Sequence, residues 1–429
     1  MSAPRKKYLI EKSKPFTFRS PKTNSFLIWS GKLILPLVLR LAPKVLEVEV
    51  QEEDLRRFKT LKGHRVILTP SHSGGLEPFV VFHLSKLLGE EFNFLAAKET
   101  FERLSFAGWL IQRLGVYSIV QGIPDRSSFR MTKELLVGGT RWLVIFPEGH
   151  TCWQNDVVMP FQQGVAQLGF WAYEELEKQG ELPPLYCVPV AIKYIYLRDM
   201  RNEIDRSLHQ LESTLFAPSI PKHLNLYDRL LRLGEAILSA NEREFHVRPR
   251  KDANLNERIQ HIKEAIVSRA SKSLGVSLLP EQPLHERIRY LLNTIEKIVY
   301  SEAESPDYVK QLLQKRQQEL QVLYDDLYQV LHFVALYEGY VGDKLTPERF
   351  LDVLGLFELE VFGRGRIWGP RKALVKLGEP LDLKNYYAKY QTDKRGTLRD
   401  VTSSLESSVA QMLAELSHQS KPIEQTVSV

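Results

Sequence analysis

Residues 65–78 of the chain read RVILTPSHSGGLEP, and an apolar helical pattern follows them directly. The run RVILTP is rich in β-branched residues and predicts a buried strand. Pro78 suits the first turn of a helix, so Glu77 is expected near the helix N-cap. His72 lies between the two, in a loop that contains two glycines. This stretch therefore predicts a strand that turns through a polar loop into a helix, the repeating unit of an α/β sheet.

The same alternation of strand-like and helical patterns continues to residue 194 and resumes near residue 373. The further strand-like runs are FNFLAAKE, GVYSIV, WLVIFPEG and LYCVPVAIKY, followed much later by ALVKLGEPL. Residues 398–416 have the pattern of an amphipathic closing helix. We therefore predict an α/β domain formed by 49–200 and 371–417, with a mixed sheet flanked by helices.

Long, charged, leucine-rich stretches with almost no strand signal fill residues 201–370. We predict a large all-helical insertion that packs against the α/β domain as a separate unit, without supplying catalytic groups. One of its helices repeats apolar residues in heptads, a pattern that needs a partner helix. The two heptad positions hold Leu313, Leu320, Leu327 and Val334, and Val309, Leu323, Val330 and Tyr337. The partner could be the apolar helix at 288–299, or a protein partner or second copy of the chain bound through 286–338.

The 429-residue chain has 43% apolar and 26% charged residues, which is ordinary for a globular protein and excludes a disordered or collagen-like chain. Its only two cysteines, Cys152 and Cys187, exclude a disulfide framework and favour a reducing, intracellular setting. Residues 1–22 account for the net charge of +6, so we predict a basic tail over 1–24. Because the remaining charge is balanced and no nucleic-acid-binding motif occurs, nucleic acid is not expected as a partner. At the other end, 418–429 is predicted to be a flexible tail.

An apolar stretch, FLIWSGKLILPLVLRLAP, follows the basic tail and carries Lys32, Pro36 and Arg40 along one line of a helix. A membrane-spanning helix needs about 20 cleaner apolar residues. We therefore predict a broken helix over 25–48 that lies in the membrane interface, with membrane lipids as partners. The protein would then be peripheral or monotopic on the cytoplasmic face of a membrane. The alternative is a buried helix with a solvated basic tail.

His72 and Glu77 are candidates for acid–base chemistry. A carboxylate that accepts a hydrogen bond from one imidazole nitrogen fixes the tautomer and leaves the other nitrogen free as a general base. The two glycines permit close approach of a ligand, and the N–H groups of the helix N-terminus could meet an oxyanion. A loop histidine beside a capping glutamate is also common without any such role, so this pattern alone leaves both interpretations open.

A second candidate segment is Phe146-Pro147-Glu148-Gly149, which ends the strand-like run WLVIFPEG. It is expected at the carboxyl edge of the sheet, where ligands bind in open α/β folds. A glutamate that follows a strongly apolar strand needs buried partners, so a structural hydrogen-bonding role is the alternative.

In their order along the chain, these segments resemble the glycerolipid acyltransferase family, typified by 1-acyl-glycerol-3-phosphate acyltransferases. The resemblance rests on His72 with an acid five residues later, on Gly115-Val116-Tyr117, on Phe146-Pro147-Glu148-Gly149, on Val188-Pro189-Val190 and on the late run 375–380, VKLGEP. It covers under half of the chain. It implies an acyltransferase-like α/β fold and transfer of a fatty acyl group to the hydroxyl of a lipid.

The resemblance also implies roles for individual residues. His72 would take the proton from the acceptor hydroxyl as that oxygen attacks the thioester carbonyl of acyl-CoA or acyl-carrier protein, and Glu77 would orient His72. The implied substrate-binding residues are Lys98, Arg126, Glu148, Gly149 and His150. No metal or redox cofactor is implied, because the thioester co-substrate is already activated.

The chain departs from the family pattern at three places. The usual acid after the histidine is Asp, and here it is Glu77, whose extra methylene the loop must accommodate. Gln121 replaces the arginine that is usual in the segment that starts at Gly115-Val116-Tyr117, with Arg126 and Arg130 nearby as candidate substitutes. After Phe-Pro-Glu-Gly the family often has Thr-Arg, whereas this chain has His150-Thr151. Because a phosphate-binding guanidinium is missing there, the identity of the acceptor stays open.

Functions of other classes have less support in the sequence. A metal hydrolase built on His72, His83, Glu148 and His150 lacks a recognised ligand spacing, and a serine hydrolase lacks the G-x-S-x-G elbow. The main alternative is a catalytically silent lipid-binding or scaffold protein whose helical insertion recruits a partner. We predict a membrane-associated O-acyltransferase of phospholipid biosynthesis that acts on a lysophospholipid. The acceptor we favour is 1-acylglycerol-3-phosphate, which would give phosphatidic acid.

Overall fold

The structure, a computed structural model, describes residues 17–102, 105–120, 124–216, 224–248, 252–279, 281–303, 314–333, 339–342 and 345–423. Its centre is an eight-stranded sheet. The strands are β1 (Val45–Val50), β2 (Arg65–Pro70), β3 (Phe92–Ala97), β4 (Val116–Ile119), β5 (Trp142–Val144), β6 (Leu185–Tyr196), β7 (Arg371–Leu377) and β8 (Leu381–Asp382).

The sheet confirms the predicted α/β fold with a mixed sheet. Its strand order is β1-β7-β6-β2-β5-β3-β4, with β8 beside β6. Neighbouring strands are parallel except at β6, which runs antiparallel to β7 and to β8. Because β2 and β5 are parallel neighbours, the segments that follow them meet at the same edge of the sheet.

Helices flank this sheet and fill the long stretch between β6 and β7. They are α1 (Ser25–Leu41), α2 (Glu52–Lys59), α3 (Glu77–Leu88), α4 (Glu99–Glu102), α5 (Ser105–Arg113), α6 (Arg126–Gly138), α7 (Gly164–Lys178), α8 (Arg201–Leu215), α9 (Leu226–Glu244), α10 (Leu255–Leu274), α11 (Leu284–Ala303), α12 (Gln314–Phe333), α13 (Gly339–Gly342), α14 (Pro347–Phe362), α15 (Lys384–Thr392) and α16 (Lys394–Ser417).

Both faces of the sheet are covered. Val66 and Leu68 of β2 belong to an apolar core shared with α1, α2 and α3, whereas Ile67 belongs to a second core shared with α6, α7, α15 and α16. Side chains alternate along a strand, so a strand buried on both faces has to be apolar throughout. The uninterrupted apolar run in β2 therefore holds the loop that contains His72 between two packed layers.

The N-terminal helix is shorter than the predicted helix over 25–48. Helix α1 ends at Leu41, and residues 45–50 form the edge strand β1, which pairs with β7. Pro43 explains the boundary, because a proline shortly after a helix does not allow the helix to continue. Val45 is buried at the start of β1 and belongs to the core beneath α1.

Helix α1 also continues through Pro36, so it is not broken as predicted. One face of it is buried through Ile28, Leu35 and Leu39, and this packing offsets the hydrogen bond that a proline removes. The opposite face leaves apolar side chains exposed. Over the described residues, no helix has the length and apolar character needed to cross a membrane.

The helices α8–α14, at residues 201–362, are called the helical segment here. Helices α11 and α12 pack against each other through buried apolar residues. The contributing residues are Ile288, Leu291, Ile295, Leu320, Leu323, Leu327 and Val330. The described part of the heptad pattern therefore finds its partner within the chain, whereas Val309, Leu313, Val334 and Tyr337 lie outside the described residues. Association with another protein through 286–338 stays a prediction.

The helical segment differs from the expected separate unit, because its cores include residues of the α/β domain. Cys152 and Met159 are buried among residues of α9–α12, and Met200 is buried with residues of α8, α9 and α14. A buried ion cluster also joins the two parts, in which Asp156 contacts both Lys193 of β6 and Arg349 of α14. The segment is therefore built into the domain that surrounds it.

Both predicted tails are partly ordered against the rest of the chain. Arg19 exchanges hydrogen bonds with Ser118 of β4, and the Lys22 N–H donates to the carbonyl of Gln112. At the other end, Ile423 is buried and its N–H donates to the carbonyl of Leu345. Within 17–24 and 418–423 both predicted tails therefore contact the rest of the chain, whereas residues 1–16 and 424–429 lie outside the described residues.

Candidate active site

His72 and Glu148 meet because their strands are neighbours. His72 follows β2, and Glu148 follows β5, which pairs with β2 through Ile67 and Leu68. The His72 N–H donates to Glu148 Oε1 at 2.6 Å. The ring of His72 also packs on the ring of Phe146, with centroids 4.3 Å apart. Two segments separated by more than 70 residues in sequence thus form one site at the carboxyl edge of the sheet.

Glu77 lies within hydrogen-bonding distance of the imidazole of His72. Nδ1 of His72 and Oε2 of Glu77 are 2.9 Å apart. Glu77 is fully buried, whereas 17% of the His72 side chain is exposed. When Nδ1–H donates its hydrogen bond to this carboxylate, Nε2 keeps a lone pair and can accept a proton from a bound molecule. The extra methylene of Glu77, compared with Asp, is accommodated by the glycine loop.

The loop also encloses the carboxylate of Glu77 from its other side. The Gly74 and Gly75 N–H groups donate to it at 2.9 and 2.8 Å, and the Ser73 hydroxyl donates at 3.2 Å. Burial alone would raise the pKa of Glu77, but the hydrogen bond and charge of His72 and the Gly74 N–H lower it to about 2. Glu77 is therefore ionised at neutral pH. The N–H groups of the two glycines, which were expected to allow close approach of a ligand, are both bonded to Glu77.

Glu148 is a buried link between loops. Its second oxygen, Oε2, accepts the Met159 N–H at 2.8 Å. Burial raises the pKa of Glu148 to about 7, although the N–H donors from Met159 and His72 oppose this shift. Its carboxylate thus fixes the main chain at His72, while the next residue, Gly149, faces the open space of the site. Gly149 has φ 74°, a left-handed conformation that strains any residue with a Cβ, so this turn favours glycine.

A cavity of about 610 Å³ opens beside His72. Its polar rim includes His72, His150, Gln162 and Gln167. Its walls are mainly apolar and come from α3, β3, α5, β4, α6 and α7. The largest apolar wall residues are Phe79, Phe82, Phe94, Ile111, Phe129 and Trp171. The volume is within the range of small-ligand sites, and the mixture of polar and apolar lining residues suits a ligand with one polar and one apolar part.

The structure places the other implied substrate-binding residues differently from one another. His150 lines the cavity, and its Nδ1 lies 3.4 Å from the hydroxyl of Tyr328 on α12. Neither Lys98 nor Arg126 is among the described residues that line the cavity. The charge of Lys98 acts instead on Glu296 of α11. The pKa of Glu296 is raised to about 7 by burial and by the charge of Glu99. Arg126 is exposed at the start of α6, and Gln121 lies outside the described residues.

Two residues of the helical segment line the same cavity, which the sequence did not predict. They are Arg289 and Asn293 of α11. Arg289 Nη2 donates to the carbonyl oxygens of Glu148 at 2.8 Å and Pro160 at 2.9 Å. The sequence periodicity of α11 places these two residues on its polar side. It does not indicate what that side contacts.

The residues considered as metal ligands do not form a metal site. Within the described ranges, no group of three or more His, Cys, Asp and Glu side chains is arranged to hold a metal ion. His83 lies on α3, with a buried Nδ1 that has no described hydrogen-bond partner. The alternative of a metal hydrolase therefore has no ligand set in this part of the chain.

Comparison with known proteins agrees with the geometry. A family model described as Acyltransferase matches residues 47–193, which extend from β1 into β6. No curated protein matches the chain. The matched range contains His72, Glu77, Glu148 and Gly149, together with most of the cavity wall. Residues 47–193 of this chain therefore form an acyltransferase domain of the glycerolipid acyltransferase family.

Proposed function

We propose that the protein is an O-acyltransferase that moves a fatty acyl group from acyl-CoA or acyl-carrier protein to the hydroxyl of a lysophospholipid. The observation that carries this proposal is the 2.9 Å contact between His72 Nδ1 and Glu77 Oε2 beside a mainly apolar cavity that His72 itself lines. Acyl transfer by the family requires a base for the acceptor hydroxyl. The oriented imidazole supplies that base, and the cavity supplies a place for the chain.

The chemical step uses His72 first as a base and then as an acid. Nε2 accepts the proton of the acceptor hydroxyl while that oxygen forms a bond to the thioester carbonyl carbon. The resulting imidazolium is stabilised by the ionised Glu77. When the tetrahedral intermediate collapses, the carbon–sulfur bond breaks and the leaving thiolate takes the proton back from His72. The products are an ester and a free thiol, and no metal or redox cofactor takes part.

The apolar cavity supports a fatty acyl chain as the group that is transferred or already carried by the acceptor. Each CH₂ group moved from water into such a wall stabilises the complex by about 0.8 kcal/mol. The aromatic side chains of Phe79, Phe82 and Phe94 provide much of that surface. As acceptor we favour 1-acylglycerol-3-phosphate, which would yield phosphatidic acid and place the enzyme in phospholipid biosynthesis.

The outer face of α1 supports a position at a membrane surface. Its exposed apolar side chains recur at helical spacing and are Phe26, Trp29, Leu33, Leu37 and Leu41. Phe106 and Trp109 of α5 are exposed as well. Asn24, which caps α1, donates its N–H to the carbonyl of Arg113 at the end of α5. We call these seven side chains the α1/α5 apolar surface and propose that it lies in the interface of the cytoplasmic leaflet, as a peripheral or monotopic contact.

A direct assay tests the proposed function. Purified full-length protein is incubated with labelled acyl-CoA, or labelled acyl-carrier protein, and a panel of lysolipids, and the labelled products are identified. We expect labelled phosphatidic acid to form fastest. Folded protein that binds lysolipids but yields no labelled product with any donor would instead favour the catalytically silent lipid-binding protein.

A further inference from the structure

Arg289 of the helical segment is an arginine inside the catalytic cavity without a carboxylate partner among the described residues. Its Nη2 donates to two main-chain carbonyls, those of Glu148 and Pro160. Among the described residues, its buried Nε has no hydrogen-bond partner, and the bonds of its terminal nitrogens come from Nη2 alone. Burial lowers the pKa of Arg289, which reflects the cost of holding this charge away from water. The guanidinium is thus fixed in place, and part of its hydrogen-bonding capacity is unused.

Another arginine on the same helix gives a direct comparison. Arg287 is also half-buried, but both of its terminal nitrogens donate to the carboxylate of Glu264, at 2.8 and 2.6 Å. The carboxylates whose charges act on Arg289 are those of Glu148, Glu286 and Glu406, and none is within ion-pair distance. A buried cation is costly unless an anion or several acceptors surround it. The anion that Arg289 lacks within the described part of the chain can therefore come from a ligand in the cavity.

The position of Arg289 connects it to the catalytic base. The carbonyl oxygen of Glu148 accepts a hydrogen bond from Arg289, and the carboxylate of Glu148 accepts one from the His72 N–H. Asn293 lies one helical turn further along α11 and lines the same cavity, so it adds an amide on the same face. We propose that Arg289 binds a phosphate group of the substrate at the polar rim of the cavity, and that the helical segment thereby completes the substrate site.

This inference rests on the proposed acyl transfer and names the residue that binds the phosphate group of one substrate. A planar guanidinium matches a phosphate through paired hydrogen bonds, and each charged hydrogen bond contributes about 1.5–3 kcal/mol. The phosphate could belong to the lysolipid acceptor or to coenzyme A, because both carry the same group. Kinetic measurements with substrates that lack the phosphate separate these two sources.

The test compares Arg289→Gln and Arg289→Lys with the control Arg287→Gln in the full-length protein. If the acceptor phosphate is bound, Arg289→Gln should raise the KM for 1-acylglycerol-3-phosphate roughly ten-fold to a hundred-fold. The KM for monoacylglycerol and for acyl-CoA should then stay unchanged, and Arg289→Lys should restore part of the loss. If coenzyme A is bound, the KM for acyl-CoA should rise instead, and that for acyl-pantetheine should not. Arg287→Gln should leave all these values close to those of the wild type.

A binding measurement keeps this inference separate from the proposed activity. Glycerol 3-phosphate and coenzyme A serve as soluble probes in calorimetric titrations of wild-type and Arg289→Gln protein, whose folding is checked by circular dichroism. Saturable binding of either probe that Arg289→Gln weakens at least ten-fold supports the phosphate site even if no acyl transfer is found. Equal binding by both proteins, or no binding to the wild type, overturns the proposal, as does an equal rise in KM for acceptors with and without phosphate.

Discussion

The loop between β2 and α3, residues 71–76, is called the β2 loop here, and it and the helical segment build the same cavity in opposite ways. His72 and Glu77 are five positions apart and are held by one short loop, whereas Arg289 reaches Glu148 across 141 positions of sequence. The loop supplies a hydrogen-bonded pair suited to proton transfer, and the segment supplies a cation and an amide suited to binding. The comparison teaches that chemistry and recognition can be divided between a compact local motif and a distant part of the fold. Substitutions in the two regions should then affect kcat and KM differently.

The largest effect is expected from His72→Ala. Loss of the general base should lower kcat about 10²–10⁴-fold, while the KM for both substrates changes little. Because His72 lies on a loop and is partly exposed, the free energy of unfolding should fall by much less than the activation free energy of the reaction rises. Steady-state kinetics together with urea unfolding check this. Turnover like that of the wild type would remove the β2 loop from the catalytic role assigned to it.

Asp156→Asn tests how much the buried ion cluster between the α/β domain and the helical segment contributes to the stability of the fold. This substitution leaves Lys193, which is fully buried, and Arg349 without their shared carboxylate. We expect the free energy of unfolding to fall by about 3–5 kcal/mol. The control is Asp199→Asn, because the pair of Asp199 with Arg201 is exposed and should contribute less than about 1 kcal/mol. A similar small loss for both variants in urea unfolding at pH 7 would mean that the helical segment is held on by apolar packing alone.

Glu77→Gln sharpens the local side of the comparison through its pH dependence. Glu77 has its pKa lowered from 4.5 to about 2 in the folded protein. Its ionised form therefore stabilises the fold above pH 4.5, and this contribution is lost as the pH falls from 4.5 towards 2. It should amount to about 3 kcal/mol.

The difference in unfolding free energy between wild type and Glu77→Gln should thus shrink between pH 5 and pH 3. Urea unfolding at several pH values measures it, with Glu52→Gln as the control because Glu52 forms an exposed pair with Arg56. A difference that stays constant with pH would mean that Glu77 is not ionised in the folded state. In the assay, Glu77→Gln should be less impaired than His72→Ala, since the amide can still hold the ring.

The smallest effect is expected at the α1/α5 apolar surface. Phe106→Ser should weaken binding to vesicles with anionic lipids about three-fold to ten-fold, because one exposed aromatic ring is removed from the interface. Leu279→Ser, at another exposed apolar position, is the matched control and should have no effect. Vesicle sedimentation at low and high salt measures both variants. Equal binding by wild type and Phe106→Ser would place the membrane contact elsewhere.

Much of the sheet could be predicted because its strands are short apolar runs bounded by turn residues. The strand β1 could not, since Val45–Val50 follows the apolar helix so closely that the predicted helix over 25–48 includes its first four residues. The loop of His72 and Glu77 was recognisable for the same local reason as the strands, because its residue types and spacing are visible within one segment. The partners of the Glu148 carboxylate could not be recognised from the sequence, because they are main-chain N–H groups.

The cations of the site show where sequence alone reaches its limit. The family resemblance implies Lys98 as a substrate-binding residue, yet its charge acts on Glu296, and among the described residues Arg289 is the arginine or lysine that lines the cavity. A helical pattern gives the side of α11 that is apolar, through Ile288 and Leu292, but not what its polar side faces. That depends on how α11 packs over the loop from Glu148 to Pro160, which involves contacts between distant segments.

The position of β7 sets the order in which this protein can be completed during synthesis. β7 lies between β1 and β6, yet its residues, Arg371–Leu377, leave the ribosome only after the whole helical segment has been made. Until then β1 lacks the strand with which it pairs, and the neighbouring edge of β6 is open. Unpaired edges promote aggregation, and pairings between distant strands form slowly. A nascent chain that stops short of residue 371 would therefore carry the acyltransferase motifs but an incomplete sheet, and its unpaired strand edges would be exposed for as long as the helices take to emerge.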